Sequence, residues 1–325
     1  MSASIYSRVT DALLEQLSSA DPGSWTCPWH SFAHGLPVNI KTAKRYRGIN
    51  ILMLASAGQS RGFGDNRWGS YRQWQSIGGQ VRKGEKGTLI VFYKDSFGSS
   101  TAQQGDNDAG QSNRRYVLRT SIVFNGAQVD GAPEVPRPQT EETFDSETFD
   151  RFFERTGAKM RFCGTHAFYS PAFDEIHLPM RGDFKSPQGY LATLAHELIH
   201  WSGAKNRLCR DLSGRFGNRA YAAEELVAEL GAAFLLAILG FANAPHPNHA
   251  RYLASWLPLV KDDPRAIFVA AAQASRAADW LLEIAAQTPV ELKEAAGGAK
   301  PSLYAVGLLN GGQNAGPTTQ PLLLS

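Results

Sequence analysis

Apolar and polar residues recur along this chain with two different periods, which separate predicted helices from predicted strands. In the first part, a three-to-four-residue period predicts an amphipathic helix over residues 4–18, and a second helix is expected around residues 49–57. Runs rich in β-branched and aromatic residues predict strands at residues 88–93 and 116–124. The first part of the chain is therefore expected to mix helices with a small sheet.

The second part of the chain reads as mostly helical, with short strands near its start. A helix is predicted over Ser146–Thr156, and a long alanine-rich helix over residues 266–286. Strand-like pieces lie around residues 159–163, 167–170 and 174–178. This pattern predicts a helical domain that carries a short β-sheet.

Stretches poor in apolar residues divide the chain into two domains of the α+β class. Residues 1–130 are predicted to form a small mixed α/β domain, with a mobile loop at residues 95–115. A linker is expected over residues 131–145, followed by a mostly helical domain over residues 146–290. Residues 291–325, rich in Gly, Pro, Thr and Gln, are expected to be a partly disordered tail.

Composition places the chain among ordinary globular proteins of the cytoplasm. Its 325 residues are 43% hydrophobic, and no apolar run is long enough to span a bilayer. The N-terminus lacks the basic and apolar regions of a signal peptide. The three cysteines, Cys27, Cys163 and Cys209, are odd in number and far apart, which argues against a disulfide framework and fits a reducing compartment.

The distribution of charge is more informative than the net charge of +3. Residues 1–130 carry 15 Lys and Arg against 9 Asp and Glu, whereas residues 131–325 carry 18 against 21. Basic residues interleaved with aromatic ones suit a single strand of nucleic acid, because cations follow the phosphates and rings stack on bases. The residues predicted to contact single-stranded DNA are Lys41, Lys44, Arg45, Tyr46, Arg47, Asn50, Trp68, Tyr71, Trp74, Arg82, Lys83 and Lys86. For any one of the aromatic residues, a place in the hydrophobic core is the alternative.

The most informative motif is His196-Glu197-Leu198-Ile199-His200, which follows an apolar run on a predicted helix. Two histidines four positions apart lie on one face of a helix and can bind the same metal ion. Glu197 would lie beside the open coordination position, where it could act as general base toward water. Burying these side chains beside an apolar stripe costs free energy unless each is paired, which favours a metal site over a structural helix.

A third protein ligand is expected from a later helix, where three glutamates are candidates. Glu225 and Glu229 share a face of that helix, and their repulsion would be relieved by a nearby cation, whereas Glu224 suits a solvated position. The arrangement is similar to that of thermolysin-like peptidases, whose glutamate ligand lies downstream of the histidine helix. We predict Glu225 as the third ligand and Glu229 as acceptor of a histidine N–H, with Glu229 or Glu224 as alternative ligands.

Several motifs together resemble a known family. They are Pro28-Trp29, Gly35–Asn39, Tyr46–Asn50, Gly78–Gly87 and Val123–Gln128. These resemble the N-terminal domain of ArdC-type antirestriction proteins, which TraC-type plasmid primases share. The His196–His200 motif and the Glu225 helix resemble the zincin-like metallopeptidase domain of the same proteins.

The resemblance implies a single-stranded-DNA-binding module fused to a metallopeptidase domain, in a protein that protects incoming conjugative DNA from host restriction. The enzymatic hypothesis is peptide hydrolysis with Zn²⁺, or another divalent ion such as Mn²⁺, on a protein substrate or a host restriction component. Candidates for stabilising the oxyanion are Tyr169, His177, Tyr221 and His249. Residues 174–179 are predicted to form an edge strand that pairs with an extended peptide.

Two alternatives to that enzymatic hypothesis stay open at the level of the sequence. In the first, the protein only coats single-stranded DNA and its metal site is structural. In the second, the protein is a protease that acts on DNA-bound proteins.

Overall fold

A computed structural model describes residues 4–18, 32, 35–96, 115–134, 146–212, 218–241 and 257–288. Most of the predicted loop and linker, and the whole predicted tail, lie outside these residues. The elements of the first half are α1 (Ile5–Ser18), β1 (Val38–Asn39), α2 (Ile49–Ser60), β2 (Arg67–Gly69), α3 (Tyr71–Gln75), β3 (Gln80–Val81), β4 (Thr88–Ser96), β5 (Arg115–Asn125) and β6 (Val129–Asp130).

The described part of the second half is mostly helical and carries a short sheet, as the sequence predicts. Its elements are α4 (Ser146–Thr156), β7 (Lys159–Phe162), β8 (Phe168–Ser170), β9 (Glu175–Leu178), α5 (Pro187–Ser202), α6 (Arg219–Ile238) and α7 (Ala266–Gln287). Short 3₁₀ turns lie at Gly126–Gln128 and Arg181–Asp183. The predicted α+β class is confirmed.

The first half is built on a four-stranded sheet with the strand order β1-β2-β5-β4. β1 and β2 run parallel, and the remaining neighbours are antiparallel. A separate two-stranded ribbon joins β3 to β6. The side-chain amide of Asn50 forms two hydrogen bonds with the backbone of the outer strand β4. It donates to the Val91 carbonyl at 2.7 Å and accepts from the Val91 N–H at 2.8 Å.

The second half holds a three-stranded sheet with the order β7-β9-β8. β9 is paired on both sides, in parallel with β7 and antiparallel with β8. The prediction that residues 174–179 form an edge strand is therefore wrong, because that segment is the central strand. β8 is an edge strand of this sheet, and it packs beside α5.

One hydrophobic core runs through both halves of the chain. It contains Val9 of α1 and Leu52 of α2 together with Leu194, Phe234 and Ala274 of α5, α6 and α7. A hydrogen bond also connects the two halves, because the Gly48 N–H donates to the buried Ser275 hydroxyl at 2.8 Å. The two halves therefore pack directly on each other. Among the described residues, none of the helices has the length and apolar character needed to cross a membrane.

Candidate metal centre and nucleic-acid surface

The two histidines of the motif converge on one point because α5 holds them one helical turn apart. α5 begins at Pro187, where the Ser186 hydroxyl accepts from the Gly189 N–H at 3.0 Å. His196 is buried and His200 is partly exposed. Their Nε2 atoms are 3.1 Å apart, so both imidazoles direct the same nitrogen toward a shared position.

Glu225 reaches that position from α6. Its Oε2 is 3.4 Å from His196 Nε2, and its Oε1 is 3.7 Å from His200 Nε2. The two helices approach closely because Gly231 of α6 has no side chain where it faces Ile199. The structure thus brings the three predicted ligands together, with one donor atom from each within 4.8 Å of the others.

The donor set fits a divalent transition metal. Donor atoms about 2.0–2.1 Å from one tetrahedral ion lie about 3.3–3.4 Å apart, close to the separations seen here. Glu225 Oε2 is buried and has no hydrogen-bond partner among the described residues. A cation at this position would compensate the cost of leaving that oxygen without a partner.

Two further glutamates of α6 lie around the histidines. Glu224 is buried and its Oε1 is 3.1 Å from His200 Nδ1, so the expectation of a solvated Glu224 is wrong. The helix turns its side chain inward because Arg210 donates to both Glu224 oxygens, at 2.8 and 3.0 Å. Glu229 Oε2 is 3.8 Å from His196 Nδ1, longer than an ordinary hydrogen bond, so its role as acceptor stays a prediction.

Glu197, the predicted general base, is buried at the wall of a cavity of about 250 Å³ that also holds the three ligands. Its Oε2 accepts from the backbone N–H of Tyr169 on β8 at 2.8 Å. Burial raises the pKa of Glu197, although the neighbouring His196 and His200 lower it. The carboxylate is therefore fixed in direction by the edge strand of the sheet.

The charges of the ligands depend on one another. Burial lowers the pKa of His200, but the hydrogen bond to Glu224 and the charge of Glu225 raise it to about 9. Burial raises the pKa of Glu225, but the nearby His196 imidazole and the charge of His200 lower it to about 2. The His200 imidazole and the carboxylates of Glu224 and Glu225 thus lie close enough for each charge to stabilise the opposite one.

Two arginines of the α5–α6 loop, whose side chains are 8% and 5% exposed, support the site, and the sequence reasoning missed both. Arg210 joins Glu224 to the end of α5 by donating to the Ile199 carbonyl at 2.6 Å. Arg207 donates to Asp174 and to the Tyr169 hydroxyl, and its guanidinium lies 4.0 Å from the Trp201 ring centroid. The sequence did offer one indication of their role. Both arginines lie between the two metal-bearing helices, in a half of the chain whose net charge is negative.

The four candidates for oxyanion stabilisation occupy different places. Tyr221 lines the cavity, and its hydroxyl hydrogen-bonds to Glu225. The Tyr169 hydroxyl is engaged with Asp174 at 2.8 Å and with Arg207 at 3.0 Å. His177 Nδ1 lies 3.2 Å from the exposed Cys163 thiol and its ring stacks on Phe168. His249 lies outside the described residues.

Some of the residues predicted to bind DNA belong to the core. Trp68 and Trp74 are 1% and 0% exposed, so the prediction that they stack on bases is wrong. Trp68 of β2 and Trp74 of α3 lie in two separate small hydrophobic clusters, and Trp74 Nε1 donates to the Phe124 carbonyl at 3.0 Å. Tyr46 is half-buried with its hydroxyl bonded to Asn39, and the Asn50 amide is occupied by β4.

The remaining predicted DNA contacts are exposed. Tyr71 lies at the surface and its hydroxyl accepts from Gln80 at 2.9 Å, next to the turn at residues 82–87 that carries Arg82, Lys83 and Lys86. That turn is held in place by Glu85, which accepts from Arg82 and from the buried Gln128. The exposed cations of the predicted set are Lys41, Lys44, Arg45, Arg47, Arg82, Lys83 and Lys86.

Comparison with known families and proteins gives two matches that together cover most of the chain. Residues 3–124 match the N-terminal domain of the anti-restriction factor ArdC, and residues 147–273 match a family described as zincin-like metallopeptidase. The uncharacterized protein y4eC of Sinorhizobium fredii is 43% identical over 280 residues, which cover 85% of this chain and 91% of y4eC. The DNA primase TraC of Escherichia coli is 38% identical over 90% of this chain, which spans 29% of the primase.

Two solved structures are also similar along their whole length. The metal-free crystal structure of the antirestriction protein ArdC from plasmid R388 is 39% identical, with a TM-score of 0.71. The Mn(II)-bound structure of the same protein is 37% identical, with a TM-score of 0.71. Each comparison covers 88% of this chain and 100% of the solved chain.

Proposed function

The chain belongs to the ArdC family of antirestriction proteins, and on that premise we propose that it binds single-stranded DNA and hydrolyses peptide bonds at a divalent-metal site. Both activities would serve to protect incoming plasmid DNA from host restriction in the cytoplasm. The observation that carries the proposal is the convergence of His196, His200 and Glu225 on one position, with Glu197 in the same cavity.

His196, His200 and Glu225 would hold the metal ion. Two imidazoles and a carboxylate suit Zn²⁺, and Mn²⁺ is the alternative because the ArdC protein of plasmid R388 has a Mn(II)-bound structure. When bound, such an ion acts as a Lewis acid toward a peptide carbonyl and makes water more acidic. Glu224, fixed by Arg210, would orient His200 through its Nδ1–H.

Glu197 would serve as general base. Its buried carboxylate has a raised pKa, which suits a group that takes a proton during the reaction and returns it. The Tyr169 N–H holds one carboxylate oxygen and leaves the other for a water molecule. Because β8 is an edge strand beside this cavity, we propose that an extended peptide lies along β8.

The test of the enzymatic part is Glu197→Gln in the full-length protein. The variant should lose protection of conjugative DNA in a restricting host, while its metal content and DNA affinity stay at the wild-type level. A parallel Glu283→Gln variant, an exposed carboxylate on α7, should protect like the wild type. Full protection by Glu197→Gln would contradict peptide hydrolysis and favour a protein that only coats DNA.

The nucleic-acid part rests on exposed cations and on Tyr71, the one predicted stacking ring that is well exposed among the described residues. The Tyr71 hydroxyl accepts from Gln80 of β3, and the turn that directly follows β3 carries Lys83 and Lys86. Glu85 and Gln128 fix this turn. Exchange of both lysines for glutamine should weaken binding to oligothymidylate and lower the slope of log K against log salt by about 1.4. The control is Lys159→Gln/Arg161→Gln, two exposed cations on β7, which should leave the slope unchanged.

A further inference from the structure

Two arginines of the first half converge on one carboxylate of the second half. Arg47 Nη2 is 2.5 Å from Asp279 Oδ2, and Arg45 Nη2 is 3.8 Å from Asp279 Oδ1. Both arginines belong to the set predicted to contact DNA, whereas Asp279 lies on α7, which packs against the metal-bearing helix α6. An ion pair thus connects the two halves of the chain where they pack on each other.

The backbone keeps both arginines at α7 independently of that contact. Gly48 follows Arg47 with a φ of +58°, a conformation that residues with side chains rarely adopt. Its N–H donates to the buried Ser275 hydroxyl, one turn before Asp279 on α7. Removal of the Asp279 carboxylate would therefore leave the backbone that carries the two arginines in place beside α7.

Two guanidinium groups around one anion form the arrangement with which proteins bind phosphate. The side chains of Arg47 and Arg45 are 66% and 42% exposed, so an external anion can reach them. We propose that a phosphate of single-stranded DNA displaces Asp279 from Arg45 and Arg47, and that Asp279 is a built-in competitor for this part of the DNA site. This inference rests on the proposed binding of single-stranded DNA.

The competition places the DNA at the boundary between the halves. Trp280, the residue after Asp279, packs against Trp201 near the end of the histidine helix, with ring centroids 5.8 Å apart. Trp201 in turn contacts Arg207, which holds the Tyr169 hydroxyl. DNA bound to Arg45 and Arg47 would therefore replace an ion pair made by α7, the helix that packs against both α5 and α6.

The experiment measures the affinity of the full-length protein for fluorescently labelled oligothymidylate at low salt. Asp279→Asn should tighten binding about two- to fivefold, the factor that corresponds to loss of an exposed ion pair. Glu283→Gln is the matched control, since it makes the same change of charge on the same helix at an exposed glutamate that forms no ion pair with another described residue. It should leave the affinity unchanged.

A double-mutant cycle separates competition from a general effect of charge. In an Arg45→Gln/Arg47→Gln background, Asp279→Asn should have no effect, because the groups for which Asp279 competes are gone. Equal tightening by Glu283→Gln, wild-type affinity of Asp279→Asn, or an Asp279→Asn effect that survives in this background would each overturn the inference. If Asp279→Asn does not fold, Asp279→Ser removes the same charge and takes its place in the experiment.

The outcomes also separate this inference from the proposed function. If the wild type fails to bind oligothymidylate at low salt, DNA binding is wrong and the competition falls with it. If the wild type binds and its affinity falls on exchange of Lys83 and Lys86, but Asp279→Asn changes nothing, the competition alone is wrong.

Discussion

The three glutamates of α6 lie at different distances from the histidines, and this predicts different losses of metal. Glu225→Gln removes a donor atom from the shared position, and metal affinity should fall by more than about 100-fold. Glu224→Gln keeps all three donors but weakens the bond that orients His200, and we expect a loss of about 10- to 100-fold. Titration of the full-length protein with Zn²⁺ and with Mn²⁺ measures both losses.

Glu283→Gln, an exposed carboxylate remote from the histidines, should bind metal like the wild type. A larger loss from Glu224→Gln than from Glu225→Gln would mean that the ligand register is shifted by one residue. A loss from Glu229→Gln equal to that from Glu225→Gln would make Glu229 a ligand as well.

Acid should weaken the network around Asp174. The hydrogen bonds from Arg207, with further help from Tyr169, hold the pKa of Asp174 below its ordinary value of 3.8. A lowered folded-state pKa means that the stabilisation is complete above about pH 4 and is lost as pH falls through the folded-state value. Asp174→Asn should therefore lower the free energy of unfolding at neutral pH and make it less dependent on pH below about pH 4, as urea titrations at several pH values can measure.

The control for the acid experiment is Asp183→Asn, an exposed aspartate that forms no ion pair with any other described residue. Its unfolding free energy should follow the wild type at every pH. If the unfolding free energy of Asp174→Asn fell with pH as steeply as that of the wild type, other carboxylates would be the cause of the acid sensitivity.

Spacing, together with a family resemblance, was enough to predict the residues that meet at the metal position, but not their surroundings. His196 and His200 share a helix face by geometry. Repulsion singled out the pair Glu225 and Glu229, and the similarity to thermolysin-like peptidases favoured Glu225 as the ligand. The role of Glu224 depends on Arg210, which lies 14 residues earlier and reaches it only through the fold of the loop. Trp68 and Trp74 were misassigned because a ring among basic residues has the same local pattern whether it is buried or exposed.

At the scale of helices, the close approach of α5 and α6 depends on Gly231. A Cβ at this position would lie 2.9–3.0 Å from three side-chain atoms of the buried Ile199, next to His200. Gly231→Ala should gain about 0.5–1 kcal/mol of helix propensity but lose about 1–3 kcal/mol from overpacking, so the net effect is destabilising. Metal affinity should fall too, because separating the helices moves Glu225 from the histidines.

Measured stability and metal affinity should both be partly restored in Gly231→Ala/Ile199→Ala, since the second change removes the atoms that clash. The matched control is Gly182→Ala, at a surface turn where an added Cβ meets no atom within 4 Å. Metal affinity that is unaffected by Gly231→Ala would mean that α5 and α6 can separate without moving the ligands.

The order of strands within a sheet could not be predicted from the sequence. The bounds of most helices and strands could be predicted because the apolar period is a local property. The pairing of β9 with both β7 and β8 is not local, and so the predicted edge strand became the central one. The same holds for Asn50, whose amide meets β4 only after α2 has packed on the sheet.

At the scale of the whole molecule, the shared core joins the proposed DNA-binding half to the metal-binding half. α1 and α2 of the first half pack on α7, and the Gly48–Ser275 hydrogen bond lies buried at the boundary. Two domains that share a core in this way are expected to unfold in one cooperative step. Independent domains joined only by a linker would instead unfold separately.

Metal binding to the native protein therefore should stabilise both halves, although every ligand lies in the second. A metal concentration 100 times the dissociation constant adds about 2.7 kcal/mol to the free energy of unfolding. Hydrogen exchange followed by mass spectrometry should show this added protection in the most slowly exchanging amides of β4 and β5 as well as in those of α5 and α6. Addition of metal to Glu225→Gln should leave both regions unchanged. Protection confined to α5 and α6 would show that the boundary opens before the core unfolds, and that the two halves are separate cooperative units.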